Sequence, residues 1–337
     1  MKKLFVVLFA LILFCSHDMF LKLDTYFIAP NTNSQIKLFN GTFDRSDNVI
    51  TRDRMIDVSL VGNGTRQRVD SSQWIEEDGA TLLNFTTGNA GTWVAGVSTH
   101  PRDFEQTAEK FNAYLEHDGV TDMLDWRKVN NALDQDATER YSKHVKTIFQ
   151  VGDQLTQDWQ TVLGYPIEFV PLSNPYESHS GHAMKFRLLW QGKPLARQLV
   201  YAGHRVSGEE GHDHDHDHDH AHEEGDDHRH DEGIKVRTDA NGEFSVDIDH
   251  GGIWYLRTIY MAFSQEEGLT HESNWATLTF EVGEGDHDHD HDHASHSHDH
   301  DHDHDHEEDF HIPEYVFWVG SFLLIFLLFL YFNRKDK

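Results

Sequence analysis

The stretch Lys185-Phe186-Arg187-Leu188-Leu189-Trp190-Gln191-Gly192-Lys193-Pro194 reads as a strand, a turn and the start of a second strand. Apolar and basic residues alternate at its beginning, as they do on a half-buried strand, and the glycine marks the turn. The pattern continues toward the C-terminus through Leu199 to His204, Ile234 to Thr238, Glu243 to Ile248, Trp254 to Phe263 and Asn274 to Val282. Short strands with frequent turn signals predict a β-sandwich of immunoglobulin-like type.

Toward the N-terminus, Leu21-Lys22-Leu23, Ile36-Lys37-Leu38 and Ile56-Asp57-Val58-Ser59-Leu60 alternate in the same way. Asn40-Gly41, Gly62-Asn63-Gly64 and Asp78-Gly79 supply turns between them, and Gly91 to Val97 adds a further strand. The composition then changes. Phe104, Ala108, Phe111 and Leu115 recur at helical spacing, His117-Asp118-Gly119 stops that helix, and residues 120–142 also read as helical. A strand is expected again from His144 to Val151. The fold class is therefore mainly β, with two β-sandwich (immunoglobulin-like) domains. The first covers 17–172 with a helical insertion at about 104–142, and the second covers 173–282.

Both ends carry segments of another kind. Residues 1–16 have the plan of a signal peptide: Lys2 and Lys3, then an apolar run from Leu4 to Phe14, then Cys15-Ser16. Lipidation of Cys15 is the alternative, although the bulky Phe14 before it fits that signal poorly. Cys15 is the only cysteine, so intramolecular disulfides are excluded and any metal site must use nitrogen and oxygen donors. Tyr315 to Phe332 carries no charge and is long enough to span a bilayer as part of a helix at 313–332. Arg334, Lys335 and Lys337 in the tail at 333–337 place that tail in the cytoplasm. A cell-membrane protein is expected, single-pass, with its body extracytoplasmic.

The formal charge is −30, and protonating all 28 histidines would cancel nearly all of it. So acidic a body disfavours nucleic acid and attracts cations. The histidines concentrate in two low-complexity segments. The first, an insertion at 208–233, holds His212, His214, His216, His218, His220, His222, His228 and His230. The second, a linker at 283–312, holds His287, His289, His291, His293, His296, His298, His300, His302, His304, His306 and His311. Alternate residues of an extended chain face one side roughly 7 Å apart. Neighbouring imidazoles thus converge with a modest bend, while aspartates supply oxygen ligands and balance charge. Such donors suit nickel, zinc, cobalt or copper, in many degenerate sites rather than one closed site. A solvated acidic spacer is the plainer reading, but it does not explain the doubled histidine repeat.

Outside the tracts the sequence resembles exported bacterial proteins of unknown biochemical activity, often labelled nickel-uptake or cobalt/nickel-transport accessory proteins. The likeness rests on His17-Asp18-Met19-Phe20-Leu21, Glu109 to Leu115, Glu139 to Lys143 and Gly164 to Pro171. Gly192-Lys193-Pro194-Leu195, Arg237 to Gly242 and Trp275 to Phe280 continue it. The resemblance implies two β-sandwich-like domains in the cell envelope near metal uptake. The long tracts and the anchor are additions to that shared body.

Among single residues, His17 becomes the first residue if cleavage follows Ser16, and its amine and imidazole could then chelate a metal together. The family's histidine at the same point supports it. His204 gains weight as a ligand because it sits at the mouth of the first tract. His179 and His182 read as a polar turn. His100, His117, His144, His250 and His271 read as isolated structural or surface residues. His271-Glu272 fails as a zinc-peptidase motif because Trp275 stands where the second histidine is required. No nucleophile elbow, phosphate loop or dinucleotide fingerprint is present, so an enzyme is not expected. The sequence points to metal capture or buffering with hand-over to a membrane metal transporter. An envelope adhesion or scaffold protein, and a copper redox enzyme built on His17, are the rivals.

Overall fold

The structure, a computed structural model, describes residues 17–77, 79–205 and 233–283. The expected signal peptide, most of the first tract, nearly all of the second and the expected membrane helix lie outside the described residues. No described helix is long and apolar enough to cross a membrane. The chain divides into two units, Met1–Asp286 and His287–Lys337, and every described residue belongs to the first.

The order of elements opens with β1 (Asp18–Lys22), β2 (Phe27–Ile28), β3 (Asn33–Gly41), β4 (Met55–Gly62) and β5 (Thr65–Arg68). Then come β6 (Trp74–Glu77), β7 (Ala80–Thr86), β8 (Gly91–Thr99) and β9 (Arg102–Gln106). Two helices, α1 (Ala108–His117) and α2 (Thr121–Val129), precede β10 (Ala137–Val151) and β11 (Ile167–Pro171). The remainder is β12 (His182–Trp190), β13 (Lys193–Pro194), β14 (Leu199–Arg205), β15 (Ile234–Arg237), β16 (Glu243–Ile248), β17 (Gly252–Phe263) and β18 (His271–Val282).

The protein is mainly β, as its alternating patterns predict, and its strands form three sheets. A four-stranded sheet has the order β1-β3-β7-β6. A ten-stranded sheet runs β15-β14-β17-β18-β10-β8-β4-β5, with β2 and β9 also paired to β10. The third sheet joins β11, β13 and β16 to β12. Alternation of side chains on the large sheet explains how all three pack. On β10, Val145, Phe149 and Val151 enter a core with Met19, Leu21, Ile36 and Leu38 of the first sheet. Ile148, on the opposite face, joins Phe169, Phe186, Leu188 and Phe244 of the third. β8 divides likewise, Trp93, Ala95 and Val97 against Val94. The large sheet is thus the middle layer of a doubled β-sandwich.

This middle layer crosses the expected boundary after residue 172. β18 pairs in parallel with β10, from Glu139↔His271 to Thr147↔Thr279. β11 pairs with β12. The helices pack on the middle sheet, where Phe111, Leu115 and Leu124 bury against Ile259 of β17 and Trp275 of β18. α1 begins at Ala108 rather than Phe104, because 102–106 is drawn into pairing with β10 and Thr107 caps the helix. Strand replaces the helix expected up to residue 142 from Ala137 onward, since β9 and β18 offer that segment two edges.

Candidate metal centre

The end of the middle sheet formed by the end of β14, the start of β17 and the end of β18 brings three donors together. Pairing sets His204 opposite Trp254 and Gly252 opposite Val282. Asp249 and His250 occupy the short turn between β16 and β17. One donor atom from each of His204, Asp249 and His250 lies within 4.8 Å of the others. Among the described residues this is the one group of three or more such donors.

Trp254 is the support. Its fully buried indole donates from Nε1 to the His250 carbonyl at 3.0 Å, which holds the turn. Its ring stacks on His204 with centroids 4.8 Å apart, and His204 stacks in turn on His250 at 4.8 Å with planes 11° apart. Asp249 Oδ1 lies 2.9 Å from His250 Nδ1, and that hydrogen bond lowers the Asp249 pKa. Burial lowers the pKa of His204, and the neighbouring charge of His250 adds to the effect, which favours the neutral ring that a metal requires. Gly203 is required beside it, since a Cβ there would overlap the Tyr255 ring. Donors on one tetrahedral ion at about 2.1 Å stand roughly 3.4 Å apart. The side chains of Asp249 and His250 are exposed and free to rotate to close that difference.

A cleft of about 600 Å³ opens next to this group. His204 and Asp249 line one part, and the buried pair of Arg257 and Asp18, 2.7 Å apart, lines another. Arg205 and Gly233, the described residues on either side of the first tract, both line the cleft. Arg205 is tied there by Nε to Asp44 at 2.8 Å. At the same end of the sheet, Gly283 bridges His179 and accepts from the Ser180 amide at 3.2 Å, and Gly181 N donates to the Ile248 carbonyl at 2.7 Å. Both tracts therefore continue from backbone that flanks the Asp249–His250 turn.

Of the residues singled out in the sequence, His204 lies in this group and His17 does not. His17 Nδ1 is 3.3 Å from Asp47 Oδ2, and its carbonyl accepts from Lys143 Nζ. The ligands expected from His212 to His230 and from His287 to His311 lie outside the described residues. Sequence reasoning did not single out Asp249, and it read His250 as an isolated residue. An Asp-His pair in a turn is an ordinary polar feature, and only the pairing of β14 with β17 carries it to His204. His144 and His271 are buried, and burial lowers both to about 4.

The pattern of the family described as Domain of unknown function (DUF4198) matches residues 15–262. The chain belongs to the DUF4198 family. The match takes in His204, Asp249 and His250, whereas the second tract lies beyond it. No curated protein matches the chain. Among solved structures, Salmonella alpha-2-macroglobulin is similar at 11% identity and a TM-score of 0.21, covering 78% of this chain and 15% of its own. The chain thus spans about 15% of that protein's length. The Yersinia pseudotuberculosis adhesin InvE is 14% identical with a TM-score of 0.18, covering 78% of this chain and 58% of its own. A putative membrane anchored protein from Corynebacterium diphtheriae is 10% identical with a TM-score of 0.20, covering 80% and 59%.

Proposed function

We propose that this protein is a membrane-anchored, extracytoplasmic capture protein for divalent transition-metal ions, and that it hands them to a membrane transporter. Nickel, zinc, cobalt and copper all fit its donors. The observation that carries this reading is the convergence of His204, Asp249 and His250 where the chain enters its first histidine tract. In this scheme the tracts raise the local metal concentration, the three-donor group holds one ion in defined geometry, and no catalytic step is involved. Nickel and cobalt gain support from the resemblance described above.

Calorimetric titration of the purified full-length protein with Ni²⁺ and Zn²⁺ tests this. A His204→Ala/His250→Ala variant should lose the tightest site and keep many weaker ones. A variant with every tract histidine changed to serine should keep one tight site. Should the double alanine variant titrate like the wild type, the structured site plays no part in binding.

One observation favours a second reading, an envelope scaffold. Trp126 and Phe263 are 42% and 45% exposed yet pack edge to face at 4.5 Å, and Val129 on the same helix is 80% exposed. An exposed aromatic patch of this kind suits a protein partner. Under that reading metal binding is incidental.

A further inference from the structure

A second cavity, of about 180 Å³, shares no lining residue with the cleft beside His204. Consecutive residues at the start of β1 separate the two, His17 lining this cavity and Asp18 the cleft. Arg54 and Lys143 both face into it, with Tyr141 and Trp275 among its walls. Arg54 is only 6% exposed, and its Nη1 is buried without a hydrogen-bond partner among the described residues. The guanidinium lies 5.7 Å from the Tyr141 ring centroid, and Lys143 Nζ lies 6.0 Å from the same ring and 5.0 Å from that of Trp275.

The charges of these groups are not balanced alike. Lys143 Nζ donates to the His17 carbonyl and to Asn40 Oδ1 at 3.1 Å, and the buried acids Asp18, Asp118 and Glu139 act on it electrostatically. Arg54 has the Tyr141 hydroxyl beside it as a hydrogen-bond partner and the like-charged Arg102 and the exposed Asp53 near it, with no buried acid among these, while its Nη1 stays unused. A guanidinium keeps its charge at any ordinary pH, and holding it buried with an unused donor is costly. An incoming anion removes that cost. Glu139 stands close by and accepts from the Tyr114 hydroxyl at 3.1 Å, and burial raises its pKa to about 7. It can therefore carry a proton beside a bound anion instead of repelling it.

We propose that this cavity binds a small organic carboxylate, with the Arg54 guanidinium as its principal donor and the faces of Tyr141 and Trp275 enclosing its carbon skeleton. A planar fork of N–H groups matches the two oxygens of a carboxylate. At the volume that a water takes in the liquid, the cavity holds about six heavy atoms, the range from acetate to succinate. This inference is independent of the metal reading.

The test is calorimetry on the full-length protein with sodium acetate, sodium succinate and sodium phosphate, repeated on Arg54→Met and Arg54→Lys. One carboxylate should bind the wild type at a stoichiometry of one. Arg54→Met should weaken it about ten- to a hundredfold. Arg54→Lys should recover little, since an ammonium lacks the fork. Circular dichroism and an unchanged cooperative thermal unfolding transition would show that both variants remain folded. Failure of both carboxylates to bind folded wild-type protein overturns the proposal, as does equal binding by Arg54→Met. Phosphate binding with both carboxylates excluded overturns the assigned class.

Discussion

Burial and the adjacent His250 lower the pKa of His204, and for a metal ligand this decides when protons begin to compete. An ordinary histidine titrates near 6.5. Metal held by the tracts should therefore be released first as the pH falls from about 7 to 5, and metal at His204 last. Stepwise acidification of Co²⁺-loaded protein, followed by visible absorbance in the wild type and in the tract-serine variant, checks the order. Release from both variants at one pH would show that the surroundings of His204 confer no advantage. Acid also acts on the fold. His144 and His271 sit near 4 in the folded state. The unfolded chain thus binds more protons between about 4 and 6.5, and stability falls as the pH drops through that window. At this scale the sequence was informative about His204, because it adjoins the tract, and silent about His250, whose partner stands 46 positions away in the chain.

Strands joined by tight turns were the most legible elements. Gln191 and Gly192 have φ of +49° and +74°, and Trp190 pairs with Lys193, so the quoted stretch closes as a two-residue hairpin. Asn63 and Gly64, at +53° and +73°, do the same between β4 and β5. A Cβ at Gly64 meets nothing within 4 Å, so Gly64→Ala isolates the backbone cost. Denaturant unfolding should show a loss of about 1 kcal/mol. A neutral result would mean that the turn relaxes to a conformation open to alanine. The limits of the helices were less legible. α2 ends at Val129 and Asn131 turns back with φ +55°, yet Ala137 to Ser142 has no local mark of a strand. Its pairing partners β9 and β18 decide its state, and β18 lies more than a hundred residues away.

On the scale of the whole molecule, the sequence conveyed that the chain is mainly β but gave no sign that one sheet serves two cores. Both faces of β10 are buried, and its Lys146 points into the core shared with the third sheet. There it meets Glu168 at 3.2 Å and donates to the carbonyls of Thr161 and Phe169 at 2.9 and 3.0 Å. Glu168 also accepts from the amides of Leu163 and Gly164. Lys146→Met should cost about 3–5 kcal/mol, because it strands a buried carboxylate. Adding Glu168→Gln should recover much of that loss in thermal unfolding, and no recovery would locate the cost in packing instead. The parallel pairing of β10 with β18 has a further consequence. The hydroxyls of Thr277 and Thr279 donate to the carbonyls of Met19 and Leu21, across 258 positions of chain. The strand at one end of the fold is thus latched by the strand at the other, and β10, though already flanked by β8 and β9, lacks its second partner along Glu139–Thr147 until β18 has been synthesised. Contacts of such long range make folding slow. A fold whose first described strand is fastened only when the last described strand is made closes late, and for the extracytoplasmic protein proposed above that delay would favour passage through a narrow channel.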